Sequence, residues 1–195
     1  MDVDYFSALH NFPNPYNENS HVLVFTGAMD YWANVDAVEW FVRAIFPNIR
    51  AQFSNLQFYI VGSKPTEKVL SLSKIEGVVV TGTVADIRPY LKFASLAVAP
   101  LRIARGIQNK VLEAMAMEKT VVASPQAMEG IYALTEKELY VANDEEAFAN
   151  LVIKLLEESK RDLTGQAARN RILSDYGWPK SLARIAQLIE NTPAE

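Results

Sequence analysis

The sequence predicts an α/β fold, a doubly wound, Rossmann-like parallel sheet covered by helices on both faces, with further helices at the C-terminal end. Three observations lead there. The runs HVLVFTG, QFYIVG, VVVTG, LAVAP and TVVAS are β-branched or aromatic, and each ends at Gly, Pro or Ser. Unbroken apolar runs of strand length belong to strands buried on both faces, as parallel sheets require. Amphipathic stretches of helical period alternate with them through short joints, so each strand–helix–strand unit reads as a crossover.

Residues 1–20 are rich in Asn and Pro and show no period, which predicts an extended connector ahead of a domain over 21–195. The first strand starts at His21. A long helix is expected over Asn34–Gln52, because Val35, Val38, Trp40, Phe41, Ala44, Ile45 and Ile49 recur at spacings of three and four. Shorter helices are expected over Thr66–Ser73 and over Asp86–Phe93, where Asp86 suits an N-cap. Another should run over Ile107–Met117 after Gly106, and Ser124-Pro125 opens one more. ELYVAN reads as a final edge strand. Three helices should follow: Asp144 to about Glu158, with Phe148, Leu151, Val152 and Leu155 on one face, then Arg161–Asp175, then Pro179–Glu190 after Gly177-Trp178.

Composition narrows the function. The chain has 195 residues, half of them apolar and 22% charged, which suits one well-packed domain. It carries 19 Lys+Arg against 23 Asp+Glu, a net charge of −4, which argues against a nucleic-acid partner or a charged membrane surface. No cysteine is present, which excludes disulfides and thiolate chemistry and suits a cytoplasmic protein. No signal peptide and no transmembrane segment are legible. The two histidines, His10 and His21, read as solvated loop residues, so a histidine metal site or catalytic triad lacks material. Against the negative total, Ile87–Leu112 carries Arg88, Lys92, Arg102, Arg105 and Lys110 and no acid; Arg88 and Lys92 read as solvated residues on a preceding helix, and the other three surround one helix N-terminus.

In an open parallel sheet, ligands lie beyond the C-terminal strand ends, so the loops there are the places to search. TGAMDYWAN follows the first strand with one glycine, Gly27. A G-x-G-x-x-G dinucleotide fingerprint and a Walker loop are both absent. Gly27 could admit a ligand to the backbone or simply turn the chain. Asp30, Tyr31 and Trp32 share that rim. A phospho-acceptor receiver is excluded, because the third strand closes with Thr81-Gly82 where that fold needs Asp. The loop after LAVAP is richest: Arg102, Arg105 and Gly106 precede a helix whose free N–H groups and dipole favour an anion. Lys110 and Glu113, three apart, share one helical face and could take a phosphate and a sugar hydroxyl respectively. The plainer alternative is a solvated helix face with one surface ion pair.

RGIQNKVLEAMAMEKTVVAS resembles the signature of retaining GT-B glycosyltransferases of the family 4 type, also called group 1. There an E-x7-E pair precedes A-M-A-x-G-x-P-V-V-A. VLVFTGAMDYWANVDAVEWF is similar to the first strand and helix of that family's C-terminal domain, in the subgroup linked to exopolysaccharide or protein-sorting gene clusters. VDYFS is similar to its interdomain linker and DYGWPKSLARI to its final helix. The resemblance spans nearly the whole chain and implies half of a GT-B enzyme: the nucleotide-sugar donor domain, with an N-terminal acceptor domain as partner. By that resemblance Glu113 is the second acid, on the ribose hydroxyls. Arg105 stands where the first acid contacts the donor sugar, a reversal of charge.

Ala28 and Ala33 replace an Arg and a Lys that often hold the diphosphate, which leaves Arg102 and Lys110 to supply charge. Gly106 and the amides of Ile107 and Gln108 would cradle the distal phosphate, and the loop Gly82–Ala85 would hold the base. Glu118 and Thr120 replace the usual Gly and Pro. The implied reaction transfers a sugar from a nucleotide diphosphate to a glycan or lipid-linked acceptor in polysaccharide synthesis. It uses no metal and no cofactor besides the donor, and its acceptor-side catalytic groups lie in the other domain, so this domain alone should bind nucleotide and transfer nothing. The alternative is a stand-alone, non-catalytic nucleotide-binding or interaction module of the same fold.

Overall fold

The structure, a computed structural model, describes residues 1–158, 161–178, 180, 182, 183 and 186. Six parallel strands form one sheet in the order β3-β2-β1-β4-β5-β6: β1 (His21–Thr26), β2 (Leu56–Val61), β3 (Val78–Gly82), β4 (Leu96–Ala99), β5 (Val121–Ala123) and β6 (Tyr140–Val141). The fold is the doubly wound α/β class that the alternating pattern predicts. The central apolar runs are buried as parallel strands must be, with Leu23, Phe58, Ile60, Leu96 and Val122 all 0% exposed, whereas β3, at the sheet's edge, is half-buried beyond Val78. ELYVAN contributes only the two-residue edge strand β6, which pairs with β5.

The long helix expected over Asn34–Gln52 runs as α1 (Trp32–Trp40), a π-helical turn (Phe41–Ile45) and α2 (Phe46–Arg50). Pro47 explains the widened turn. A proline has no N–H to donate, and its ring crowds the carbonyl four residues earlier. A π turn just before it absorbs both defects, and the Phe46 N–H accordingly bonds five residues back, to the Phe41 carbonyl. The turn keeps Phe41 and Phe46 on the core side, where Phe41 meets Phe58 at 4.6 Å and Phe148 at 5.7 Å between ring centres.

Alternate residues of β2 serve opposite faces. Phe58 packs under Phe41 and Phe46, with Phe41 in turn against Phe148 of α7 (Glu145–Glu157), whereas Tyr59 stacks edge-on with Tyr16 of the leader at 4.7 Å. The remaining helices are α3 (Glu67–Leu72), α4 (Arg88–Phe93), α5 (Asn109–Ala116), α6 (Pro125–Met128) and α8 (Arg161–Asp175). Thr66, Ser124 and Asp144 cap α3, α6 and α7 with side-chain oxygens. The helix expected over Pro179–Glu190 lies largely outside the described residues.

Residues 1–20 form turns and no strand or helix, yet they are seated against the domain. The Tyr16 hydroxyl donates to the Tyr90 carbonyl at 2.6 Å, and burial pushes its pKa up. Two expectations need correction here. Arg88 and Lys92 are not solvated: Arg88 pairs with Asp86, lies 3.8 Å from the Tyr5 ring and donates to the Tyr5 carbonyl, and Lys92 Nζ donates to the His10 carbonyl at 2.7 Å. Arg169 of α8 likewise donates to the Val3, Phe6 and Ala116 carbonyls. His21 is no loop residue; it opens β1, half-buried and edge-on to Phe53. Among the described residues no helix is long and apolar enough to cross a membrane.

Candidate functional site

The strand order reverses direction between β1 and β4, so the loops leaving these two strands diverge and leave a crevice beyond their C-terminal ends. A cleft of about 520 Å³ occupies that place. It is lined by the turn after β1 (Thr26, Gly27, Ala28), the turn after β2 (Gly62, Ser63), the loop after β3 (Thr83, Val84, Ile87) and the start of α5. Asn34 of α1 reaches in from the side.

The floor depends on two glycines. A Cβ added to Gly62 would lie 1.7 Å from the Gly27 carbonyl oxygen, so β1 and β2 end in direct backbone contact that no side chain could enter. A Cβ at Gly27 would lie 2.7 Å from Asn34 Nδ2.

Asn34 is 4% exposed and ties three elements together. Its Nδ2 donates to the Ala28 carbonyl at 2.8 Å, and its Oδ1 accepts from Lys110 Nζ at 3.0 Å. Lys110 thus rises from the first turn of α5 beneath the β1 turn, with Nζ 5.4 Å from the centre of the Phe25 ring. Burial lowers its pKa, opposed by attraction to Glu113; burial raises that of Glu113, opposed by attraction to Lys110. Two desolvated, oppositely charged groups on one helical face line one cleft. That is the arrangement in which an incoming anion and an incoming hydroxyl both gain most, because water is already partly excluded.

Of the residues that the sequence singles out, the structure brings Gly27, Ile107, Gln108, Lys110 and Glu113 together on the cleft. Gly82 ends β3 at φ +69°, immediately before the lining residue Thr83. Gly106 sits at φ +69° with nothing within 4 Å of its Cβ direction, a turn open to solvent outside the cleft lining. Helix α5 starts at Asn109, later than the expected Ile107, with Gln108 at the N-cap position. The Gln108 amide turns back to donate to the Arg105 and Gly106 carbonyls at 3.3 and 3.1 Å.

Arg105 is exposed and lies outside the cleft lining. Arg102 departs furthest from expectation: instead of facing the helix N-terminus it grips Asp36 of α1, Nε donating to Oδ2 at 3.0 Å and Nη2 to Oδ1. A carboxylate 66 residues away in sequence has claimed it. The plainer alternative of a solvated Lys110–Glu113 pair also fails, since both residues are partly buried in the cleft. Asn34, Gly62 and Ser63 are cleft residues that sequence reasoning missed. An Asn set between Ala33 and Val35 in the first turn of the helix was the one available signal.

A doubly wound domain with its cleft at the topological switch point is a ligand-binding class of fold. Residues 20–158 match the family model described as "Glycosyl transferases group 1", and the chain belongs to that family. A comparison with curated proteins finds no match. Among solved structures, a glycosyltransferase from Rickettsia africae ESF-5 superposes with a TM-score of 0.77 at 14% identity, covering 98% of this chain and 56% of that one. The C-terminal domain of the group 1 glycosyl transferase LpcC from Francisella tularensis gives 0.68 at 15% identity, covering 91% of this chain and 99% of that domain. Anabaena Alr3699/HepE, solved with UDP and glucose, gives 0.75 at 13% identity, covering 98% of this chain and 55% of that one. The fold is thus an α/β Rossmann-like domain that matches these GT-B glycosyltransferases. The chain spans about half the length of the whole enzymes that it matches.

Proposed function

We propose that the cleft binds the nucleoside diphosphate of a sugar donor, and that the chain is the donor-binding domain of a retaining glycosyltransferase. The observation that carries this reading is Lys110 and Glu113, both desolvated and side by side on α5 at the switch-point cleft. An ammonium donates to phosphate oxygens. A carboxylate only accepts, and so selects the paired hydroxyls of a ribose. The walls after β3 (Thr83, Val84, Ile87) offer an apolar slot and backbone groups to a base.

As the donor's anomeric bond breaks, negative charge builds on the departing diphosphate. Lys110, fixed by Asn34, and the free N–H groups at the start of α5 stabilise that charge without reorganising. The groups that activate the acceptor belong, in this reading, to a partner acceptor domain. Transfer to a glycan or lipid-linked acceptor in polysaccharide synthesis then needs both domains, and this chain alone binds nucleotide without turning it over. Calorimetric titration with UDP, GDP and ADP tests the assignment: one of them should bind with 1:1 stoichiometry and lose affinity in Lys110→Met. Binding of none of the three would overturn it.

A further inference from the structure

We propose that Arg102 is a positioning residue: with Asp36, Trp40 and Glu145 it forms a strut that fixes the β4–α5 loop against α1 and α7, so that the cleft wall is preformed for the donor. The inference rests on the nucleotide reading of the cleft and adds the residues that hold one side of it.

The loop over residues 100–108 needs such a support. At its entry Leu101 is 1% exposed, and its carbonyl accepts from Ser124 Oγ at 2.5 Å. At its exit the Gln108 amide bonds the loop's own carbonyls, which shapes the loop without attaching it to the body. Between these points Ile103 and Ile107 are 45% and 51% exposed.

Arg102 supplies the charged attachment. Its fork meets both oxygens of Asp36, and its guanidinium lies 5.5 Å from the centre of the Trp40 ring. Trp40 Nε1 in turn donates to Glu145 Oε1 at 2.8 Å, and Glu145 is the first residue of α7. A bidentate, ring-stacked guanidinium is directional in a way that a lysine in its place could not be. With its fork engaged by Asp36, Arg102 lies outside the cleft lining, whereas Ile107 to Lys110, a few residues further on, form part of it. An exposed ion pair adds little to global stability. In a loop the same interaction is weighed against local opening alone, where it decides the population of the ordered form.

Two readouts on three variants test the strut: hydrogen exchange of the amides that bond the loop's last carbonyl, in the free protein, and titration with whichever of UDP, GDP or ADP binds the wild type. Arg102→Met and Asp36→Asn should each speed exchange of the Val111 and Leu112 amides, which donate to the Gln108 carbonyl at the loop's exit, about tenfold, with little change in Tm. Each should weaken nucleotide binding by about threefold to tenfold, as expected when the competent loop is only partly populated. The exchanged pair Asp36→Arg/Arg102→Asp should recover much of the protection. Were Arg102 a phosphate ligand instead, freeing it in Asp36→Asn would leave affinity unchanged or raise it while Arg102→Met lowered it. That outcome, or unaltered exchange in both single variants, overturns the proposal. If the wild type binds none of the three nucleotides, the functional reading fails while the exchange arm still decides the strut.

Discussion

Replacing Glu113 by Gln should push stability and binding in opposite directions. Burial raises the Glu113 pKa, so the fold holds this carboxylate at a cost, offset only in part by attraction to Lys110. Glutamine is nearly isosteric and neutral and removes that cost, so Tm should equal or exceed that of the wild type. Binding should suffer, because an amide offers one accepting oxygen where a carboxylate offers two. A hydrogen bond to a charged group contributes about 1.5–3 kcal/mol. At 1.4 kcal/mol per decade, the loss is about 10- to 150-fold in nucleotide affinity. Thermal unfolding and calorimetry on the same preparation measure both. A Tm lowered by several degrees with unchanged affinity would refute the reasoning and make Glu113 a structural residue. Sites that sacrifice stability for function behave in the predicted way.

Three further outcomes follow from other parts of the molecule. Gly62→Ala must push the Gly27 carbonyl away from a Cβ placed 1.7 Å from it, at a cost of about 1–3 kcal/mol; that corresponds to a Tm lower by about 3–10 °C, read by calorimetric scanning. Tyr16→Phe leaves the Tyr90 carbonyl without its donor, and chemical denaturation should show a loss of about 1–2 kcal/mol if the leader is seated as described. The pH dependence has a definite sign. Because the folded state raises the Glu113 pKa above its ordinary 4.5, the contribution of this group to stability is fully present below that value and is lost as pH rises through the folded pKa. Wild type should therefore fall in stability relative to Glu113→Gln as pH climbs above about 4.5; parallel profiles would contradict the burial of this carboxylate.

The sheet was legible because strands buried on both faces leave unbroken apolar runs, as β1, β4 and β5 do; β3 shows such a run although its edge position leaves it half-buried. The π turn was not legible as such, although Pro47 in the middle of a helical period was its visible cause. At the site, Lys110 and Glu113 could be read because helical spacing of three fixes a shared face without any knowledge of the fold. Arg102 could not. Sequence displays a charge but not the carboxylate that tertiary structure brings to it, and Asp36 sits on another element 66 residues away. Lys92 shows the same limit, and so does Arg88 beyond its neighbour Asp86, since each also donates to a backbone carbonyl of the leader, and a carbonyl has no sequence signature. Asn34 was hidden by its place inside a helix, where its role depends on the turn it reaches back to.

The most direct test is a crystal structure of the chain with the nucleoside diphosphate that binds it most tightly. The account predicts phosphate oxygens within hydrogen-bonding distance of Lys110 Nζ, ribose hydroxyls on the Glu113 carboxylate and the base against Thr83 and Val84. A nucleotide bound elsewhere, or one whose phosphates turn away from Lys110 while Glu113 stays unengaged, would contradict it.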